Sequence, residues 1–282
     1  MGKPWGYPVR TPINTNNLGI HVSNYLHPTA LIDARAKLGT GNRIGAYAII
    51  EEDVELGDNN ILAVHAVLKR GTRLGNSNQI YEHAVIGGIP QDLKFIDITV
   101  PTYVRIGSHN VLREAVTINR ASKAGQATVL GDGNFMMATS HIGHDCQVGN
   151  NNVIVVSAGL AGHVSVADKV FISGGVMVHQ FVHIGSYAMI GGNAKITQDT
   201  LPYMITDGNP AQVRGLNLVG LKRGGFSMED IRILKDGYRI LFMQEADLDI
   251  SLARLEALQH TLTNQLVAFI RRAKRSFHRA EK

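Results

Sequence analysis

The chain has 282 residues, of which 30 are glycine, 6% are aromatic and 18% charged, with one cysteine and a formal net charge of +5. A single cysteine excludes a disulfide framework and any cysteine-based zinc cluster, and the composition fits neither a coiled coil nor a disordered chain. The charge is local: residues 211–282 carry 13 Lys+Arg against 8 Asp+Glu, whereas residues 1–210 balance at 15 against 15. That asymmetry suits a docking surface for an acidic partner and argues against a protein that coats nucleic acid.

Residues 1–19 read as a polar N-terminal arm without the apolar stretch of a signal peptide, and no segment approaches 18 uninterrupted apolar residues. The expectation is a cytoplasmic chain with no stable membrane insertion. Residues 20–208 are organised by an aliphatic residue every six positions, from Leu26, Ile32 and Leu38 through to Ile86. The period resumes at Ile106, Leu112 and Ile118, and runs again from Leu130 to Ile196, giving 26 hexads. A period of six fits neither a helix nor a hairpin; it fits a mainly β chain wound as a triangular β-helix, three short strands to each 18-residue coil. Alanine often sits two residues before the aliphatic position, as at Ala48, Ala66 and Ala158, where alternation points it inward. Glycine often follows it, as at Gly39, Gly45 and Gly57, and is expected to serve corners needing positive φ.

Two stretches break the rhythm. Residues 88–103, with two prolines, separate Ile86 from Ile106 and are expected to leave the prism as a loop; Arg120–Thr128 puts Ala124 in an aliphatic place and is expected to bulge. Pro202 ends the β pattern. Residues 209–282 turn helical, with Ser227 a candidate N-cap and Leu252, Leu255, Leu262 and Leu266 on amphipathic segments, predicting a smaller α-helical C-terminal domain over one end or side of the prism.

Five of the twelve histidines fall between residues 141 and 183. His141 and His183 each precede an inward isoleucine and so point out; His144, His163 and His179 occupy corner or outward positions, so all five are expected to reach an external cleft. The 18-residue coil stacks His144 on Gly162 and then on Gln180, and Asp145 on His163. A histidine beside a position without a side chain leaves room for substrate, with the Gly162 amide available to a developing oxyanion. Neutral imidazole accepts a hydroxyl proton, and Asp145 can orient it. Cys146 lies two residues before Val148, at the small inward position, and reads as an inert core residue rather than a nucleophile. Zinc would need about three converging imidazoles. The His179–His183 pair has ligand-like spacing but falls on strand and corner, so no metal ligand is assigned.

The hexapeptide repeats resemble the left-handed parallel β-helix of the hexapeptide acyltransferases over about residues 20–200. More specifically, the strings IPQDLKF, LREAVTINR, SHIGHDCQVGN, LAGHVSV, GGVMVHQF, MIGGNAKITQD and LNLVGLKRGGF, in that order, resemble the UDP-N-acetylglucosamine O-acyltransferases of lipid A biosynthesis. The resemblance implies transfer of an (R)-3-hydroxyacyl group from acyl carrier protein to the 3-position of UDP-N-acetylglucosamine or a close analogue. It further implies a homotrimer with sites between neighbouring prisms, and no cofactor beyond the phosphopantetheine thioester of the carrier protein. His144 then matches the general base, Asp145 its partner and Gly162 the oxyanion donor. Asp92, Lys94, His141, His163, His179 and Gln180 match substrate contacts, Gly192 borders the acyl groove, and Asn217 and Arg223 match nucleotide contacts. The basic C-terminal region would receive the acidic carrier protein. Asn119 replaces a histidine frequent in that family, Val219 an acidic residue and Pro210 another histidine; all three bear on acceptor handling, where a 3-amino sugar is the analogue to consider. Two other readings are an acetyl-CoA-dependent hexapeptide acetyltransferase and, from a different class, a zinc enzyme like the gamma-type carbonic anhydrases. The QDLK loop and helical ending favour the carrier-protein enzyme.

Overall fold

A computed structural model describes residues 23–95, 100–273 and 276–280. The polar arm, residues 96–99 of the loop and the basic residues Lys274, Arg275 and Lys282 lie outside the described residues. The first 26 strands, from β1 (Tyr25–Leu26) to β26 (Lys195–Ile196), are two to four residues long, and each contains one of the periodic aliphatic residues. They stack as three parallel faces of a left-handed β-helix, starting respectively at Tyr25–Leu26, Leu31–Ile32 and Lys37–Leu38. The register is the coil length: Tyr25 pairs with Arg43, Leu31 with Ile49 and Lys37 with Glu55. Strands this short have no stability alone; each is held by axial backbone bonds such as Leu31 N–H to Ala48 O and Asp33 N–H to Ile50 O, both 2.9 Å.

Inside, the aliphatic column and the small column meet as read from the sequence. Ile44, Leu62, Ile80, Ile142 and Ile172 are buried with Ala48, Ala66, Ala84 and Ala158 between them in one continuous core. Each fully buried aliphatic side chain contributes roughly 1.5–3 kcal/mol. The corner glycines differ from expectation. Positive φ falls two positions further along, on Gly41, Tyr47 and Asn59, and not on Gly39, Gly45 or Gly57. Those glycines are required by close approach: a Cβ on Gly57 would lie 2.3 Å from Asn76 Oδ1, whose oxygen reaches over from the next coil to accept the Asp58 N–H at 2.7 Å.

The corner between the third and first faces carries a second ladder, buried inside. Asn60 Oδ1 accepts the Asn78 N–H at 2.8 Å, and Asn78 Oδ1 accepts the Asn110 N–H at 2.9 Å. The chain of contacts runs from Asn24 through Asn42, Asn134 and Asn152 to the Val170 N–H. Each of these oxygens takes up a backbone N–H that the axial strand bonds leave over, which ties coil to coil across both excursions. Nδ2 of Asn42 and of Asn152, near the two ends of the ladder, has no partner among the described residues.

The β pattern continues beyond the expected boundary near residue 208. β27 (Met204–Gly208) joins the first face and β28 (Ala211–Leu216) pairs with it antiparallel, because the turn at Asn209–Pro210 makes a hairpin where the sequence reading saw a stop. The helices are α1 (Leu218–Arg223), α2 (Met228–Phe242), α3 (Leu248–Ala257) and α4 (Thr261–Arg272). Ser227 caps α2 as expected, in a reciprocal box with Asp230. Leu241, Leu252, Leu255, Leu266 and Ile270 pack on Leu201, Met204 and Val213, so the helices cover the C-terminal end of the prism and its hairpin. No helix among the described residues is long and apolar enough to cross a membrane.

Replacing Asn78 by alanine removes the acceptor of the Asn110 N–H and two donors to Asn60 and Gly107. With buried partners left unpaired, equilibrium urea unfolding is expected to show a loss of roughly 2 kcal/mol or more, whereas alanine at the half-buried, outward-facing Gln79 beside it is expected to cost little.

Candidate active site

The two excursions and the histidine-aspartate pair use one corner, between the second and third faces, in three consecutive coils. The loop leaves after β11 (Val85–Gly88), residues 120–126 leave after β14 (Thr117–Asn119), and His144 and Asp145 follow β17 (His141–Ile142). β11 pairs with β14 and β14 with β17, so the three departures are neighbours. As expected, Ala124 is exposed on the second excursion. Beside this corner a cleft of about 430 Å³ opens over the second face.

His144 is only 5% exposed yet lines that cleft. Its Nδ1 is 2.7 Å from Asp145 Oδ2. Across the coil boundary, a Cβ on Gly162 would lie 2.6 Å from His144 Nε2 and 2.5 Å from Cε1, so only glycine leaves the imidazole where it is. Asp145 and His163 are not among the residues that line the cleft; Asp145 is tied to it through His144 and is heavily hydrogen-bonded. Ser122 Oγ donates to its Oδ2 at 2.7 Å, the Ser122 N–H to its Oδ1 at 3.1 Å, and the Asp145 N–H itself donates to Thr128 Oγ1 at 2.8 Å. Burial alone would raise the Asp145 carboxyl; hydrogen bonds from His144 and Ser122, with His163 nearby, outweigh burial and hold it below the usual carboxylate range. His141 moves the other way for an imidazole: burial depresses it, with His144 adding to the effect and a hydrogen bond to Thr117 opposing it. His141 is thereby favoured as a neutral hydrogen-bonding group.

His163 stands edge-on to His144 with ring centroids 5.2 Å apart, its Nε2 3.6 Å from Asp145 Oδ2, and Phe181 stacks on its other side at 4.6 Å. His144, Asp145 and His163 offer donor atoms within 4.8 Å of one another, the set in this site that could hold a metal ion.

Of the residues expected from sequence, Asn119, His141, His144, Gly162, His179 and Gln180 line the cleft together. Others fall elsewhere. Asp92 closes a turn by accepting the Lys94 N–H at 3.0 Å, and it is their neighbour Gln91 that lines the cleft. Gly192 sits at another corner, where a Cβ would meet only Gly174 O, at 3.7 Å. Asn217 is buried with both ends of its amide committed: Oδ1 accepts the Gly220 N–H at 2.9 Å and Nδ2 donates to Tyr187 O at 2.8 Å. Arg223 ends α1, and neither residue lines the cleft of its own chain. His183 does not join the other four histidines; its N–H and Nδ1 face Asp199, at 2.8 and 3.5 Å, on the third face. Of the three departures from the resembled family, only Asn119 is at the cleft, where its Nδ2 donates to Ile89 O at 2.9 Å; Val219 is exposed on α1 and Pro210 on the hairpin turn.

Met177 and Lys195 also line the cleft and escaped the sequence reading. Coil arithmetic contained them: His141 pairs with Gly159, Gly159 with Met177 and Met177 with Lys195, one outward column. Ser122 escaped it for a different reason, since it sits on an excursion where the repeat gives no register.

The family described as "Udp N-acetylglucosamine O-acyltransferase; Domain 2" matches residues 199–278. An acyl-[acyl-carrier-protein]--UDP-N-acetylglucosamine O-acyltransferase from Alkalilimnicola ehrlichii is 50% identical over 257 residues, covering 90% of this chain and 99% of its own. The same-named protein of Herminiimonas arsenicoxydans is 45% identical over 82% of this chain and 88% of its own. Among solved structures, a UDP-N-acetylglucosamine acyltransferase from Bacteroides fragilis superposes with a TM-score of 0.86 at 36% identity, covering 89% of this chain and 99% of its own. One from Campylobacter jejuni gives 0.86 at 34%, covering 91% and all of its own chain.

Cys146 directly follows the pair but points inward, fully buried, and burial pushes its thiol up to about 12. The folded protein is expected to give no reaction with a thiol-specific disulfide reagent at pH 8 and one thiol per chain after denaturation. Rapid native-state labelling would show a reactive thiol instead.

Proposed function

The chain belongs to the acyl-[acyl-carrier-protein]--UDP-N-acetylglucosamine O-acyltransferase family, and from that membership we propose how its own cleft performs the transfer, with His144 as the general base. The reaction is the first step of lipid A biosynthesis: an (R)-3-hydroxyacyl group passes from acyl carrier protein to the 3-position of UDP-N-acetylglucosamine. The observation that carries the base assignment is the pairing of His144 Nδ1 with Asp145 at 2.7 Å while the opposite edge of the ring faces Gly162 in the cleft.

With its Nδ1–H donated to an ionised Asp145, the imidazole keeps Nε2 as an acceptor. The sugar 3-hydroxyl gives its proton to Nε2 as its oxygen attacks the thioester carbonyl carbon. The resulting oxyanion takes a hydrogen bond from the Gly162 N–H. Collapse of the tetrahedral species breaks the carbon–sulfur bond, and the departing phosphopantetheine thiolate recovers the proton from His144. No acyl-enzyme forms, so holding both substrates in register supplies much of the acceleration. Asn119, His141, His179 and Gln180 are the side chains at hand to orient the sugar. Base, orienting carboxylate and oxyanion donor all come from the chain, so the reading includes no metal and no cofactor beyond the donor's thioester. It also sets the reaction in the cytoplasm, where two charged, water-borne carriers can meet.

The assembly proposed is a homotrimer. The first face turns Ile61, Val111, Phe135 and Phe171 outward and the second Leu31, Ile49 and Val67, whereas the third turns out Lys37, Glu55, Arg73 and Arg105. The first face also turns out Arg43 and Gln79, the second Thr117, His141 and Lys195, and the third Val129, Gln147 and Ser165. It is therefore the apolar stretches of the first two faces that suit contact between three prisms packed side by side, with the charged part of the third to solvent. Leu93, fully exposed at the loop tip between Asp92 and Lys94, suits contact with a neighbouring prism, which would bring those two residues to that protomer's cleft.

Alanine at His144 is expected to lower kcat by roughly 10²–10⁴-fold in a folded protein, measured with carrier-protein thioester and UDP-N-acetylglucosamine; near-native turnover overturns the assignment. Exhaustive chelation is expected to leave wild-type turnover unchanged, and loss restored by zinc would favour the metal reading of His144, Asp145 and His163. Sedimentation equilibrium is expected to return three times the chain mass, and a monomer mass at micromolar concentration contradicts the trimer.

A further inference from the structure

We propose that Ser122 is a positioning residue for the transfer, a two-point clamp that commits the Asp145 carboxylate to His144 rather than to His163. The inference deepens the proposed reading of His144 as the base and rests on it.

Two imidazoles compete for one carboxylate oxygen. His144 Nδ1 is 2.7 Å from Asp145 Oδ2 and His163 Nε2 is 3.6 Å from the same atom. A carboxylate held only at its Cβ could rotate toward either ring, and rotation toward His163 would release His144 from the tautomer that leaves Nε2 to accept a proton. Ser122 removes that freedom by holding both oxygens, the hydroxyl on Oδ2 at 2.7 Å and the amide on Oδ1 at 3.1 Å. Two hydrogen bonds from one residue fix the plane of the carboxylate, where either alone would leave a rotation axis.

The clamp is itself anchored to the substrate-side loop. Asn119 Nδ2 donates to Ile89 O, and the N–H groups of Arg120, Ala121 and Gly125 donate to Gly88, Tyr103 and Pro101, at 2.9–3.1 Å. Both roots of the loop 88–103, which contributes Gln91 to the cleft, therefore hold the segment that carries Ser122. Loop geometry and carboxylate orientation are connected by backbone hydrogen bonds, with the Ser122 hydroxyl as the last element before the catalytic pair.

The test compares kcat, KM for each substrate and the pH profile of kcat in Ser122→Ala, Ser122→Thr and His144→Ala, with Ser122→Ala repeated in a His163→Ala background. A hydrogen bond to a charged acceptor corresponds to roughly a 10- to 100-fold effect. Ser122→Ala is expected to lose kcat on that scale with both KM values nearly unchanged and the acid limb of the profile moved to higher pH, because a carboxylate with one donor fewer holds a proton on the pair more tightly. Ser122→Thr keeps the hydroxyl and is expected to recover most of the loss. In the His163→Ala background, with the competing ring gone, the penalty of Ser122→Ala is expected to shrink. Wild-type kcat in Ser122→Ala beside an inactive His144→Ala overturns the clamp alone. So does a threonine variant as slow as the alanine one, or a penalty independent of His163. Full turnover in His144→Ala instead removes the base assignment, and the clamp with it.

Discussion

A single hydrogen bond repeated from coil to coil, from a backbone N–H to the side-chain oxygen of the buried asparagine beneath it, sets the phase on which the rest of the molecule depends. Two-residue strands cannot fix their own register, and a slip by one residue would turn every inward aliphatic outward. The Asn60, Asn78 and Asn110 contacts prevent that at the corner, where the axial backbone ladder is interrupted, and they hold even though the spacing there changes from 18 residues to 32. The excursion of 88–103 can therefore enter the chain without disturbing the core: the next coil is recaptured by the same side-chain atom at 2.9 Å. A second series on the outside, Asp58, Asn76, Ser108, Asp132, Asn150 and Asp168, caps the adjoining amides, and the glycines below it are the room those side chains need.

Constant phase explains the chemistry as much as the stability. Because coils superimpose, the site is a vertical column at one corner, and function is distributed by level: loop, second excursion, His144–Asp145, then Gly162–His163, then His179–Gln180. Neighbouring levels are one strand spacing apart, about 4.8 Å, close enough for His144 and Asp145 to interact with groups on the coils to either side. The imidazole of His144 on one level therefore meets the backbone of Gly162 on the next without a specially bent segment. The scaffold supplies preorganisation by repetition, and only the excursions are special to the site.

That division also explains what the sequence revealed. The hexad arithmetic specified strands, core columns and the stacking of His144 on Gly162, since each depends only on position modulo 18. It placed Cys146 inside for the same reason. It misread the corner glycines because a period marks where a small residue sits and not whether conformation or contact demands it. The continuation into β27 and β28 was hidden by Pro202, which looks like a terminator but here precedes a hairpin that extends the first face, with Pro210 in its turn. Asn217 matched a motif, and its amide also caps α1 and ties Tyr187, an arrangement no spacing reveals. Ser122 was illegible because it lies off the repeat, positioned by backbone bonds to a loop far away in sequence.

The basic C-terminal region illustrates how a sum of charges becomes a surface. Arg232, Arg239 and Arg271 are engaged by Glu229, Asp236 and Glu256 on their own or neighbouring helices. Exposed pairs of this kind add little stability, but they neutralise part of the excess where they stand. The helices α2 to α4 hold six cations against five carboxylates, so the excess of residues 211–282 lies before them, at Arg214, Lys222 and Arg223, and in the sequence after them. Long-range attraction for an acidic surface depends on where such an excess is concentrated and not on the net charge itself.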